Sequence, residues 1–363
     1  MSIRMHLSVG SGESPNRACG DRHVVPMDWT LARALTVAVA FCATAVLTSA
    51  SKDADAQTSP TKVTLRTDFR VAGYHAPFAL AMERGYYKEQ GLDIEIAQGQ
   101  GSSVTIQTIA AGGDLFGIAD ASTTVIAISA RGIPVKVVAA YAQSDTQGFA
   151  FHPTPGWDGD LTKLRQKVLI SSTGSSELSI IPGVLARTNM TMDDMQLQLV
   201  DVSARVPLFL QTPGAFLGGY ATGDVLRIKA KLPTVGFVPF SKFGITAYGA
   251  SLIVTLNTIQ KNPDLVRKFV SASGRGWSES LKDPEPAVQA LTKLFPDVDA
   301  QFMREGLKVV LNNQLHTPAT KGNPIGWTAE SDWKSMIDTL EKYSKVKPRP
   351  LPNYYTNEFI TKP

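Results

Sequence analysis

Cysteine is the scarcest residue of chemical consequence in this 363-residue chain, with two copies, Cys19 and Cys42. Both precede residue 57. From Gln57 onward there is no disulfide, no thiol nucleophile and no thiolate metal site to consider. Histidine is nearly as rare. Past residue 57 only His75, His152 and His316 occur, far apart and without ligand spacing, so the sequence offers no metal site. No Lys-Ser/Thr follows a glycine-rich turn, which excludes a nucleotide P-loop. No run of Lys/Arg is clustered, and net charge is only +4, which argues against nucleic acid as a partner. The longest apolar run, Leu35–Ala50, falls short of the roughly 20 residues a membrane span needs.

That run is preceded by Arg33 and followed by Ala54-Asp55-Ala56, a small-x-small pattern before Gln57. Residues 1–56 therefore read as a secretory signal with Gln57 as the first mature residue. Met27 is an alternative initiator, because the sequence from Met27 already supplies charge and then the apolar run. Cys42 is a poor lipidation site behind bulky Phe41. Five basic residues (Arg4, Arg17, Arg22, Arg33, Lys52) and five acidic ones (Glu13, Asp21, Asp28, Asp53, Asp55) fall in this leader, so the mature charge stays at +4.

What remains has 43% hydrophobic and 19% charged residues over the whole chain, ordinary for a soluble protein of about two domains. Leu65–Ile96 sets the pattern. Val63, Leu65 and Thr67 alternate as a strand that stops near Asp68; Arg70–Pro77 cannot continue it; Ala76–Tyr87 has helical spacing; Gly91 stops the helix; Leu92–Ile96 alternates again. This βαβ unit favours a parallel sheet with a crevice at the strands' C-terminal ends, at Asp68–His75.

The motif repeats in kind. Gly99–Gly113 enters a helix through Gly101-Ser102-Ser103. Asp114–Ala119 is a strand followed by Asp120-Ala121-Ser122-Thr123 and a helix over Thr124–Ala130, and Val135–Ala140 is the next strand. Phe149–Phe151 begins a crossing to a second domain. Val168–Ser171 is a strand, and Thr173-Gly174-Ser175-Ser176-Glu177 leads into the helix Leu178–Thr188. Leu197–Val202 reads as a strand, Arg205–Gln211 as a short helix, and Ala215–Gly218 as a strand ending at Gly219-Tyr220. Ile245–Leu256 reads as a strand returning to the first domain. Helices follow over Leu265–Leu281, Ala287–Leu294, Val298–Asn312 and Glu330–Tyr343. Three strand-to-helix turns of small polar residues can converge on one ligand, since backbone N–H groups and hydroxyls at helix starts bind acceptor oxygens.

Several ordered segments carry a family resemblance. They are Asp68-Phe69 with Tyr74-His75-Ala76-Pro77, Gly85–Asp93 (GYYKEQGLD), Ala111–Asp114 with Gly117–Asp120, Arg131–Val135, Asn262–Val266, Gly276-Trp277, Asp283-Pro284 and Tyr355–Phe359. Over residues 61–360 the chain resembles the solute-binding proteins of ABC importers for sulfonates, nitrate, taurine and thiamine-pyrimidine precursors. The resemblance implies an α/β fold, a two-lobed type II periplasmic binding protein in which each lobe is a doubly wound sheet flanked by helices. Residues 61–147 and 247–363 would form lobe one and residues 148–246 lobe two. It implies a periplasmic, monomeric receptor without a cofactor, a small-molecule solute as ligand and a membrane ABC permease as partner.

Mapped on the family, the cleft would receive Asp68, Phe69, Tyr74, His75, Gly101, Ser102, Ser103, Asp120, Ser122 and Thr123 from lobe one. Thr173, Gly174, Ser175, Ser176, Glu177, Gly219 and Tyr220 would come from lobe two, and Tyr248 from the return strand. Helix starts at Ser102, Ser122 and Ser175 favour an acceptor end on the ligand; the aromatics favour a flat body; the acids favour amino groups. The combination is similar to the aminopyrimidine-binding branch and ranks a thiamine-pyrimidine precursor or another small aromatic above a sulfonate. The same branch contains a fungal thiamine-pyrimidine synthase, which resembles this chain at Tyr74-His75 and Thr356-Asn357-Glu358. That enzyme carries a cysteine-rich motif where this chain has the cysteine-free stretch Phe243–Asn257. A ligand-sensing domain is the third alternative.

Overall fold

The computed structural model describes residues 59–144, 146–153, 159–173 and 175–360. The leader with both cysteines, and Gly174, lie outside the described residues. Ten strands form two five-stranded sheets. The first contains β1 (Thr61–Arg66), β2 (Leu92–Ala97), β3 (Phe116–Asp120), β4 (Val135–Ala140) and β10 (Ala250–Thr255), in the order β2-β1-β3-β10-β4. The second contains β5 (Gln147–Phe151), β6 (Val168–Ser171), β7 (Gln196–Leu199), β8 (Phe216–Tyr220) and β9 (Gly236–Pro239), in the order β7-β6-β8-β5-β9. The described residues form two lobes, one built on each sheet.

Each sheet admits one antiparallel strand, and in each it occupies the fourth place. β10 runs antiparallel to β3 and β4, and β5 runs antiparallel to β8 and β9. These are the strands that follow the two crossings between sheets. The burial pattern explains the rest. β3 and β4 are buried along almost their whole length, as strands covered on both faces must be. β2 alternates buried and exposed residues at the sheet edge.

The first sheet is wrapped by α1 (Ala76–Glu83), α2 (Tyr86–Glu89), α3 (Ser102–Ala110) and α4 (Ala121–Arg131). The second carries α5 (Glu177–Ala186), α6 (Val202–Gln211) and α7 (Leu226–Lys229). After β10 come α8 (Leu256–Lys261), α9 (Pro263–Lys282), α10 (Glu285–Leu294), α11 (Ala300–Asn313) and α12 (Glu330–Ser344). α9 and α10 pack on α1, burying Phe269, Trp277, Val288 and Leu291 against Phe78 and Phe116. Phe116 and Phe269 stack at 4.0 Å, and Tyr141 stacks on Trp277 at 4.9 Å. Among the described residues no helix is long and apolar enough to cross a membrane.

α12 does something different. It packs along α5 of the second lobe and α4 of the first. One apolar cluster therefore runs across both lobes, from Ile106, Val125 and Ile253 through Trp333 and Leu340 to Ile180, Ile181 and Leu185.

Three local expectations are corrected, and one feature is new. The single helix expected over Ala76–Tyr87 is two, because Gly85 sits at φ +76° and breaks it. The return strand is shorter than Ile245–Leu256: it begins at Ala250, and the Thr255 hydroxyl caps a new helix at Leu256 by accepting from the Thr258 N–H. Val202 belongs to α6 and not to the preceding strand. Residues Ala221–Val225 form a single π-helical turn ahead of α7, which the sequence pattern did not announce. Such turns recur at functional sites.

Candidate functional site

The loops that follow β1, β3, β6 and β8 meet around one cavity of about 200 Å³. Lobe one supplies Asp68, Phe69, Tyr74, Gly101, Ser102 and Thr123. Lobe two supplies Thr173, Ser175, Ser176, Arg205, Tyr220 and Asp224, and Phe302 of α11 stands at its edge. A smaller recess of about 30 Å³ also has Asp68, Tyr74 and Tyr220 in its wall and reaches Asp120, Gln314 and β10.

On the lobe-one side the chain past β1 is laced to the loop past β2. Gly99 N–H donates to the Phe69 carbonyl at 3.1 Å and Gly101 N–H to the Asp68 carbonyl at 2.8 Å. A side chain at Gly99 would drive its Cβ to 1.9 Å from the Thr67 carbonyl oxygen, so glycine is what lets the loops touch. The lacing fixes Asp68. Its carboxylate accepts from the Tyr74 hydroxyl at 2.9 Å and from His75 Nε2 at 3.0 Å. His75 Nδ1 accepts from the Ala72 N–H at 3.0 Å, which leaves the ring proton on Nε2 to donate to Asp68. His75 is fully buried. It positions Asp68 and does not itself line the cavity.

Asp120 ends β3 and caps α4. Its carboxylate accepts from the Ser122 N–H, the Ser122 hydroxyl and Gln147 Nε2, the last at 2.7 Å. Burial pushes its carboxyl up to about 6, against the pull of those donors. The Ser122 end of α4 is thereby satisfied from within, and the Ser122 hydroxyl faces Asp120. The start of α3 differs: Gly101 has φ +119° and no side-chain cap, and the Ser102 hydroxyl accepts from the Asp120 N–H at 3.0 Å. Ser103 follows Ser102 in α3 and is not in the cavity wall.

In lobe two the wall is built on one buried guanidinium. Arg205 of α6 reaches Asp224 through two parallel hydrogen bonds, Nε to Oδ1 at 2.9 Å and Nη2 to Oδ2 at 2.7 Å. Its Nη1 donates to the Ser175 hydroxyl at 3.3 Å and faces Glu177 Oε1 at 3.5 Å. Two carboxylates share one cation. Glu177 is fully buried, its Oε1 accepts from the Ser171 hydroxyl at 2.8 Å, and its Oε2 has no partner among the described residues. Desolvation pushes its carboxyl up to about 7. The π-helical turn places Asp224 so that Oδ2 also accepts the Tyr220 N–H at 3.0 Å. A Cβ at Gly219 would meet that oxygen at 2.6 Å, which accounts for the glycine.

Gln147, the first residue of β5, ties the lobes together. Its Nε2 faces Asp120 of lobe one, Ser176 Oγ at 3.3 Å and Tyr220 Oη at 3.5 Å. The Tyr220 and Ser176 hydroxyls bond to each other. Burial, helped by the nearby acids, holds the Tyr74 and Tyr220 hydroxyls well above the ordinary tyrosine range, so both are neutral donors.

Of the residues read from sequence, Asp68, Phe69, Tyr74, Gly101, Ser102, Thr123, Thr173, Ser175, Ser176 and Tyr220 meet at the main cavity, and Asp120 at the recess. His75, Ser122, Glu177 and Gly219 stand behind this wall. Tyr248 is elsewhere: its hydroxyl donates to Asp332 at 2.8 Å and accepts from the Ala329 N–H, with its ring edge-on to Trp333. It belongs to the apolar junction at α12. Arg205, Asp224, Gln147 and Phe302 were not singled out from sequence. A lone arginine on the mostly apolar run Val202–Leu210 was the available signal.

The fold is that of the two-lobed periplasmic binding proteins. It superposes on the alkanesulfonate-binding protein SsuA of Xanthomonas axonopodis with a TM-score of 0.61 over 82% of this chain and 99% of that one, at 11% identity. Residues 72–287 match the NMT1/THI5-like family model, and the chain belongs to that family. It is similar to the riboflavin-binding protein RibY of Chloroflexus aurantiacus, 25% identical over 84% of this chain and 88% of that protein. It is also similar to the 4-amino-5-hydroxymethyl-2-methylpyrimidine phosphate synthase THI12 of Saccharomyces cerevisiae, 32% identical over 84% of this chain and 89% of that protein.

Proposed function

We propose that the chain is the extracytoplasmic substrate-binding component of an ABC import system, and that it captures a small amino-bearing heteroaromatic solute between its lobes. The observation that carries this reading is the cavity wall itself. Acceptors from Asp68, neutral hydroxyls from Tyr74 and Tyr220, and the ring of Phe69 converge from both lobes on a space sized for one small ring. Polar groups fix orientation in such pockets and aromatic faces supply contact area. The mechanism is a population shift: ligand touches both walls only when the lobes are together, and so favours that state.

The names of the relatives support a ring-shaped solute more than an alkylsulfonate. The leader pattern of residues 1–56 supports export, and delivery to a membrane permease follows from the class. A non-catalytic role is supported by His75, whose two nitrogens are both engaged and which is shut off from the cavity, and by the cysteine-free stretch Phe243–Asn257.

Thermal-shift screening of the mature chain with aminopyrimidines, flavins, alkylsulfonates and nitrate tests the reading. A ligand bound by the folded state alone raises the melting temperature, and 100-fold excess over Kd adds about 2.7 kcal/mol. Aminopyrimidines are expected to shift it. A shift confined to sulfonates or nitrate would overturn the ligand class. Turnover of a bound pyrimidine, seen as a new product by mass spectrometry, would overturn the non-catalytic role.

A further inference from the structure

The cavity between the lobes is not closed toward the outside. A groove of about 1280 Å³ lies beyond it, bordered by α6, the end of α7 and the tip of α11. The two spaces share Phe69, Val202, Arg227 and Phe302, so one runs into the other. The inner space, about 200 Å³, is below the roughly 300–1,000 Å³ of pockets that enclose a whole drug-sized ligand. It takes one small ring, and the groove is where a substituent on that ring continues.

Charge does not set the two spaces apart, because Arg70 and Arg227 line both. The build of α6 does. Phe209 of this helix packs into the core of the second lobe with Ile170 and Leu217, and Arg205 is buried against Asp224. Val202, Val206 and Leu210 recur every fourth residue, which puts them on one face of the helix, and all of them line the groove. The face of a surface helix that is turned from the core is ordinarily polar. Here an aliphatic stripe runs along it, from the neck outward, for about 12 Å. Val202 is 40% exposed, and Val206 and Leu210 are half-buried. Leu232 and Phe302 border the same groove, and Ser203 and Lys231 are among its polar residues. Val202 belongs to both spaces, so the stripe begins in the wall of the ring cavity itself.

We infer that the solute carries an alkyl substituent: the ring sits inside, and the chain leaves through the neck along α6, over Val202 and Val206 toward Leu210. The continuity of the stripe with the ring cavity is what assigns it to the ligand. The inference rests on the ring-binding reading above and adds the chemistry and path of the ligand's outer part. Full burial of one methylene tightens binding about fourfold, and a groove open on one side delivers about half of that free energy, or about twofold per methylene.

Isothermal titration calorimetry of 4-amino-2,5-dimethylpyrimidine and 4-amino-5-hexyl-2-methylpyrimidine tests it. The proteins compared are the chain from Gln57 onward, the double variant Val202→Ser/Val206→Ser, and Leu281→Ser, which removes an exposed leucine outside the groove. Circular dichroism melts verify folding. The readout is the ratio of the two Kd values within each protein, which a general loss of affinity does not move. The hexyl compound should bind the unaltered chain at least about tenfold tighter than the methyl compound, with a more negative heat-capacity change. Salt at about 500 mM should not shrink that ratio, as it would shrink an ionic one. The double variant should reduce the ratio at least about threefold, and Leu281→Ser should preserve it. Equal or weaker binding of the hexyl compound to the unaltered chain, or a ratio that survives in the double variant, overturns the inference and leaves the ring-binding reading standing. Binding of neither compound overturns both.

Discussion

The two lobes meet in two places, and the two places are built from different materials. At the cavity they meet through hydroxyls, carboxylates and an amide: Gln147 links Asp120 to Ser176 and Tyr220. At α12 they meet through a continuous apolar cluster, with Trp333 stacked on Tyr355 at 4.7 Å and Thr339 and Tyr343 lying against Gly183. Apolar burial has no orientation to lose and favours staying shut. Polar groups that keep good hydrogen bonds with water lose little by parting. A binding protein needs both: a junction that holds the lobes on one chain axis, and a mouth that opens at small cost. Motion is therefore allowed at the mouth and resisted at α12.

The largest effect should come from the apolar side. Trp333→Ala empties a fully buried site between the lobes and should cost about 3–5 kcal/mol in denaturant unfolding. If the loss were below about 1 kcal/mol, the α12 junction would not be what holds the lobes. Asp68→Asn attacks the polar side. It keeps an acceptor for Tyr74 but removes the charge offered to an amino-bearing ring, so affinity for the ligand found by thermal shift should fall at least about tenfold. Unfolding free energy should change by less than about 1 kcal/mol. A stability loss equal to that of Trp333→Ala would erase the distinction between the two sides.

The next prediction concerns pH. Burial raises Glu177 to about 7 and Asp120 to about 6 in the folded chain, whereas unfolded carboxyls titrate near 4. Between those values the folded state keeps protons that the unfolded chain has released. Stability is therefore full below about pH 4 for these groups and is lost as pH rises through 6 and 7. The ligand-free protein should be less stable at pH 8 than at pH 5 by about 4 kcal/mol from the two groups together, and Glu177→Gln should remove more than half of that slope. A flat profile in the unaltered chain would mean that Arg205 already neutralises Glu177 fully. The smallest effect is expected at the surface: Lys334→Ala removes an exposed pair with Glu330 and should change stability by less than about 0.5 kcal/mol.

The same contrast explains what could be read from sequence. Alternation and helical spacing announce β1, β2 and the long amphipathic helices, because periodicity is local. The strand-to-helix turns at Ser102, Asp120 and Ser175 were visible for the same reason: capping chemistry occupies adjacent positions. Arg205 and Asp224 were not, since one charge on a helix and one after a glycine pair look like solvated residues until folding buries them together. Phe302 lies more than two hundred residues from Phe69, and no local pattern can pair them. Tyr248 misled for the converse reason. An aromatic beside a return strand suits a cleft, but the chain between Gly244 and Ala250 turns it toward Trp333.

On this reasoning the mouth moves while the α12 junction stays packed. Because the sequence from Gln57 onward has no cysteine, spin labels can be placed freely in pairs on a chain that starts there. One pair at Lys231 and Gln301 spans the mouth, and one at Arg187 and Glu341 spans α5 and α12. Electron–electron double resonance with and without the ligand found by thermal shift should show the mouth distance shorten and narrow on binding while the α5–α12 distance holds. A mouth distance indifferent to ligand, or an α5–α12 distance that changes as much, would contradict the account.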